Sequence, residues 1–190
     1  MSTAWIAGGW LLAALTMAAA QTPKGGGGGK FTLSSPDIAE GKTIAAAQVF
    51  NQFGCTGGNI SPALSWSNAP AGTQSFALLM HDPDAPTGSG WWHWLVYNIP
   101  AGASSLPAGA GDPKKNLLPA GALQGRTDYG SVGYGGPCPP PGKPHRYYFK
   151  LLALDAKLDL KEKSGKRELE AAMKGHILGQ AEWMGRYGRK

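Results

Sequence analysis

The segment 81–98 reads HDPDAPTGSGWWHWLVYN and places two aspartates, two histidines and three tryptophans within eighteen residues. The run before it, Ser75 to Met80 (SFALLM), is short and apolar, and so is Trp94 to Ile99 (WLVYNI), which runs out of its far end; short apolar runs bounded by turn residues have the form of buried strands. The polar groups are therefore expected between two strands. Pro83 and Pro86 lack a backbone N–H and bias their predecessors toward extended geometry, so Asp82 to Pro86 should form a stiff, non-helical turn. Such a turn can aim the Asp82 and Asp84 carboxylates the same way, while Trp91 to Trp94 wall in His93. Aspartate before proline is also ordinary turn chemistry, and tryptophans near strands are usually core, so this stretch alone is equally compatible with a structural role.

A second cluster shifts that balance. Residues 125–145 (GRTDYGSVGYGGPCPPPGKPH) are so rich in glycine and proline that neither helix nor regular strand is expected. Glycine permits close backbone approach, so N–H groups here have the means to cradle an anion. The Gly-Lys-Ser/Thr ending of a nucleotide-hydrolase phosphate loop is absent. The loop closes on His145-Arg146-Tyr147, and Tyr148 to Leu154 (YFKLLAL) reads as a central strand. His145 thus stands at a loop–strand junction, as His93 does.

Working outward, a chain of 190 residues suits one domain with a sizeable core. Residues 1–20 carry an apolar Ala/Leu run ending in Ala18-Ala19-Ala20, the small-residue form of a signal-peptidase site, although no Lys or Arg precedes it. Export to a periplasmic or secreted location is expected, with an uncleaved anchor as the rival. Residues 21–30 (QTPKGGGGGK) form a glycine-rich flexible linker, and residues 31–190 form the folded domain. The net charge of +6 favours anionic ligands or peripheral contact with membrane surfaces, and is equally compatible with a role in solubility alone. No basic stripe with interleaved aromatics marks a nucleic-acid partner. The only cysteines are Cys55 and Cys138. In an oxidising compartment they suggest one disulfide, two free buried thiols being the alternative; neither has partners at zinc-ligand spacing.

The remaining elements are coarser. Phe31 to Ser34 and Leu64 to Trp66 read as strands, Thr43 to Phe53 as a strand or short helix, and Pro100 to Gly125 as an exposed loop. Arg167 to Ile177 places Leu169, Ala172, Met173 and Ile177 at helical spacing with Ser164 as a possible cap. Glu182 to Tyr187 is a last short strand or an extended tail. His176 reads as structural.

Three segments together resemble the phosphatidylethanolamine-binding protein family, in its bacterial Raf-kinase-inhibitor-like branch: Gly54-Cys55 with Asn59-Ile60-Ser61-Pro62; Asp82 to Pro86 with Trp91 and His93; and Gly135-Gly136-Pro137 through His145-Arg146-Tyr147. The resemblance spans about Phe31 to Arg189. It implies a mainly β domain, with a central antiparallel Greek-key sheet, a smaller second sheet and a few short peripheral helices. It also implies a pocket for small anions or phospholipid headgroups formed by Asp82, Asp84, Trp91, His93, Gly136, Pro137, His145 and Tyr147. The histidines would donate to phosphoryl oxygens together with backbone N–H groups near Gly136. The aspartates would orient the histidines, raise their pKa, or meet an ethanolamine amine. Cys55 and Cys138 both lie inside family segments, which strengthens their pairing. Trp92 departs from relatives that carry a second histidine, and kinase regulation is not carried over.

A non-catalytic binding module follows, with no catalytic residue, metal or cofactor expected. Two alternatives remain. Asp82, Asp84, His93 and His145 have the donor types of a metal- or acid/base-dependent phosphoester hydrolase, without a His-Glu-x-x-His signature or nucleophile elbow to support it. A protease inhibitor or other protein-binding module would present the Pro100 to Gly125 loop to its partner.

Overall fold

The computed structural model describes Met1 and residues 29–190. The expected leader and most of the linker lie outside the described residues. Eight strands and one helix follow in order: β1 (Thr32–Ser34), β2 (Leu64–Ser67), β3 (Ser75–Asp82), β4 (Trp91–Pro100), β5 (Ser105–Leu106), β6 (Leu123–Gln124), β7 (His145–Leu154), α1 (Lys166–Met173) and β8 (Ile177–Tyr187). They form a small sheet, β1-β2-β5, and a large one, β6-β4-β3-β7-β8, with antiparallel pairing throughout. The chain leaves β4 for β6 at one edge and returns to β7 on the far side of β3, the Greek-key return expected.

Alternation along β3 explains why this sheet sits between two cores. Phe76, Leu78 and Met80 join Trp66, Leu64 and Leu33 of the small sheet. Ala77 and Leu79 face the other way, toward Leu169 and Met173 of α1 and Leu158. A strand buried on both faces reads as a continuous apolar run, which is what SFALLM is. Leu169 and Met173, four apart, give α1 its one buried stripe.

The expected strands are present, β1 one residue shorter and the others longer. β4 begins at Trp91, so His93 lies inside a strand rather than at its start. β8 has eleven residues where a short strand or tail was expected; its glycines hid the pattern. Residues 43–53 are neither strand nor helix: turn bonds such as Gln48 N–H to Ala45 O (3.0 Å) follow one another, and Ile44 N–H pairs with Arg186 O (2.7 Å) along the edge of β8. The helix starts one residue earlier and ends four residues earlier than the periodicity predicted. Its N-cap is Gly165, which has no side chain to offer, and the expected cap Ser164 instead donates its Oγ to Lys161 O (2.8 Å). Among the described residues this is the one α-helix, where a few short ones were expected.

Pro100 to Gly125 is not simply an exposed loop. It supplies β5 and β6, buries Leu106 and Ala110, and is tied down where Gly111 N–H donates to Ser61 Oγ (2.8 Å). The stretch still presents residues 113–117 as an exposed run. Cys55 and Cys138 form a disulfide with Cα atoms 6.0 Å apart, linking two loops at one end of the large sheet.

Candidate functional site

That end of the sheet is shaped by an irregularity in β4. Met80 pairs with Trp94 and His81 with Trp92, so His93 is an extra residue with no partner on β3. A bulge of this kind shifts the side-chain parity of the strand. Trp94 consequently packs in the core facing the small sheet and Trp92 in the core facing α1, although strict alternation would put both on one face. The inserted His93 rests edge-on against Tyr147 of β7 (ring centroids 5.2 Å) and Tyr129 of the 125–144 loop (5.4 Å).

His93 is held at both its main chain and its ring. Gly135 N–H donates to the His93 carbonyl (2.9 Å), and the Gly135 carbonyl lies 2.7 Å from His93 Nδ1. A carbonyl only accepts, so Nδ1 carries the ring hydrogen and Nε2 is left as an acceptor. Nε2 is buried and makes no hydrogen bond to the protein. Burial pushes the imidazole down to about 4 and outweighs the opposing pull of the Gly135 carbonyl and the Asp82 carboxylate. The sequence reading expected the aspartates to raise it; with the ring 2% exposed, desolvation of the cation wins.

Asp82, at the end of β3, does orient a histidine. Its Oδ2 accepts from His145 Nδ1 (2.8 Å) and its Oδ1 from Asp84 N–H (2.8 Å). The second bond is the Asx turn that Asp-Pro-Asp chemistry favours. Asp84 turns instead to Arg146, whose Nε and Nη2 reach its two oxygens at 2.9 and 2.6 Å while Arg146 N–H adds a third bond at 2.9 Å. These hydrogen bonds hold the Asp84 carboxyl down at about 2, and the same pairing raises Arg146. The β3–β4 turn is thereby fastened to the first residues of β7.

Between these elements lies a cavity of about 280 Å³, lined by Asp82, Trp91, His93, His145 and Tyr147 together with Phe53, Ala85, Pro86, Thr87, Tyr129, Cys138, Pro139 and Pro140. Five of the eight expected ligand residues thus converge. Three do not. Asp84 lines a neighbouring surface depression with Lys143. Gly136 and Pro137 are buried behind the wall: Gly136 N–H, expected to meet an anion, donates to Asn59 Oδ1 (2.8 Å), and Pro137 O accepts from Phe50 N–H (3.1 Å). Gly136 is needed for packing, since a Cβ there would stand 2.1 Å from Gln48 O. His81 faces away from the cavity; it stacks on Trp92 (4.4 Å).

The lining adds residues that the sequence reading did not single out. Tyr129 donates to Gly136 O (3.0 Å) and stacks on Phe50 (4.3 Å) and Phe53 (5.8 Å). Phe53 is 67% exposed at the rim and holds a left-handed backbone, φ 55°, which is uncommon for an aromatic residue. Tyrosine inside a Gly/Pro-rich loop was the available signal for Tyr129; nothing local marks Phe53. Burial first, and Asp82 second, raise the Tyr129 and Tyr147 phenols well above their ordinary values, so both remain donors. The Tyr147 hydroxyl and Trp91 Nε1, like His93 Nε2, have no protein partner. A buried polar atom left unpaired costs about 1–3 kcal/mol, and three of the six such side-chain atoms among the described residues belong to residues that line this cavity.

A family model described as phosphatidylethanolamine-binding protein matches residues 34–188 of the chain. The Escherichia coli K12 protein YbcL is 55% identical over 125 residues, 65% of this chain and 68% of that protein. YbhB of the same organism is 51% identical over 123 residues, 65% of this chain and 77% of that protein. The crystal structure of E. coli YbcL superposes with a TM-score of 0.82 at 46% identity, covering 85% of this chain and 100% of that one.

Proposed function

The chain belongs to the phosphatidylethanolamine-binding protein family, and from that premise we propose that it is a non-catalytic binding protein whose cavity holds a small anionic or phosphorylated ligand, including a phospholipid headgroup. The observation that carries this reading is the convergence of Asp82, Trp91, His93, His145 and Tyr147 on one cavity, three of them carrying a buried polar atom with no protein partner, His93 Nε2, Tyr147 Oη and Trp91 Nε1. His145 spends Nδ1 on Asp82; once protonated, it offers Nε2 as a charge-assisted donor to an oxyanion. Tyr147 and Trp91 add neutral donors.

The ligand residues are Asp82, Trp91, His93, His145 and Tyr147, with Asp84 tying the turn to β7 through Arg146. The rest of the lining is largely apolar, with Phe53, Pro86, Pro139 and Pro140, and suits the carbon stem of an organic phosphate better than a bare ion. Binding is favoured over hydrolysis because the carboxylate that lines the cavity, Asp82, has both oxygens engaged in positioning. An exported location fits the disulfide, since such bonds persist in oxidising compartments.

Calorimetric titration of the purified chain with inorganic phosphate and with phosphoethanolamine tests the reading, alongside His93→Ala and His145→Ala. Saturable binding that weakens more than about tenfold in each folded variant is expected, the loss of one charge-assisted or buried hydrogen bond. No binding, or binding indifferent to both substitutions, would move the function away from this cavity.

A further inference from the structure

The two histidines of the cavity are held by different partners, His93 by a backbone carbonyl and His145 by the Asp82 carboxylate. Gly135 O accepts the Nδ1 hydrogen of His93 (2.7 Å), so its buried, unpartnered Nε2 is a fixed acceptor. A fully ionised oxyanion brings lone pairs only, and a lone pair against a lone pair repels. A ligand that satisfies His93 must therefore bring one hydrogen of its own to this wall, while its charged oxygens meet the Tyr147 and Trp91 donors and, when the imidazole there carries both hydrogens, His145. We propose that the cavity selects an oxyanion that still carries an acidic hydrogen, a singly ionised phosphate monoester or hydrogen phosphate, whose P–OH donates to His93 Nε2.

This rests on the anion-binding reading above and narrows it. Sulfate matches phosphate in size but has no hydrogen to give at neutral pH. A phosphodiester has the single charge but lacks the P–OH, so the diester of an ordinary phospholipid headgroup is disfavoured relative to a monoester. The titratable groups around the His93 ring are consistent with a neutral imidazole. They are Asp82 and His81 from β3, Tyr147 and His145 from β7, and Tyr129 from the long loop. Asp82 alone is a carboxylate, and its oxygens are taken by His145 and the Asp84 amide. Burial keeps the imidazole neutral down to about pH 4.

Two consequences are measurable. First, discrimination by a fixed hydrogen-bond acceptor should reach about tenfold or more, because the wrong ligand leaves a buried group unpaired. Second, a phosphate monoester loses its second proton near pH 6, so above about that pH binding takes up a proton and the affinity falls by up to about tenfold per pH unit.

The experiment is calorimetry on the full chain near neutral pH in buffers of differing ionisation enthalpy. The probes are inorganic phosphate, sulfate, phosphoethanolamine and glycerophosphoethanolamine. Phosphate over sulfate, monoester over diester, and proton uptake with the preferred ligands are expected. In His93→Gln the preference for phosphate over sulfate shrinks; the wild-type comparison stands even if that variant does not fold. Sulfate binding as tightly as phosphate, or sulfate binding with equal proton uptake, would overturn the inference while leaving anion binding intact; the latter would put the proton on an imidazole. A diester equal to the monoester would also overturn it. Failure of all four probes to bind would overturn both readings. Vesicles extend the test to the source of the monoester. Sedimentation with phosphatidic acid but not phosphatidylethanolamine assigns a lipid source, and binding of soluble monoesters alone assigns a soluble one. Equal sedimentation with both lipids would contradict the proposal.

Discussion

His93 shows how one inserted residue changes the chemistry of a site. Without the bulge between Met80 and His81, strict alternation would have sent its ring elsewhere; with it, the ring lies buried between Tyr129 and Tyr147. That burial has a consequence for stability. The folded imidazole titrates at about 4, below its ordinary value of 6.5. As pH falls through that window the unfolded chain takes up the proton first, so stability should decline from about pH 6.5 to about pH 4, by up to about 3 kcal/mol. Asp84 acts lower: Arg146 holds it to about 2 against an ordinary 3.8, so its contribution is present above that ordinary value and lost only as pH drops toward 2. Urea unfolding of wild type and a folded His93→Gln variant across this range separates the two. The slope above pH 4 should be shallower in the variant, and equal slopes would mean that His93 is not the group titrating.

Among the elements, β3, β7 and the general placement of α1 were legible because each carries a regular apolar period. SFALLM and YFKLLAL could hardly be anything but buried strands, and Leu169 and Met173 mark one helical face. What was not legible depends on pairing between distant segments. The Pro100–Gly125 stretch lacks periodicity because its order comes from bonds to Ser61 and Tyr134, which no local pattern records. Gly135-Gly136-Pro137 was read as an anion cradle, since glycine signals close approach without saying to what; here it is residues 48–50 and Tyr129 that come close. The Cys55–Cys138 disulfide joins two of these irregular loops across 83 residues. Chain-entropy reasoning makes such a closure worth about 4 kcal/mol, and both Cys138 and Phe53 line the cavity rim. Reduction, or a Cys55→Ser/Cys138→Ser pair, should lower the urea midpoint and weaken ligand binding together. An unchanged midpoint would show that the loops are held without the bond.

At the scale of the whole molecule, function comes from convergence. β3 ends on Asp82, β7 begins on His145, β4 bulges at His93, and the disulfide-linked loops bring Phe53 and Pro139 to the cavity. Five of the eight expected site residues meet there because the motifs at the ends of β3, β4 and β7 share one end of a sheet. The other three, Asp84, Gly136 and Pro137, support that arrangement from behind. Sequence could identify the motifs and their order, but the division between groups that face the cavity and groups that hold it depends on the bulge and on the loop packing. The most direct test is nitrogen-detected imidazole NMR of the four histidines during phosphate titration, with His81 and the surface pair His176–Asp155 as internal references. Saturable shifts at the Nε2 atoms of His93 and His145, with His93 keeping its hydrogen on Nδ1 and the two reference rings unmoved, are the expected result. Shifts confined to His81 or His176, or none at any ring while phosphate binds, would contradict a ligand site at this end of the sheet.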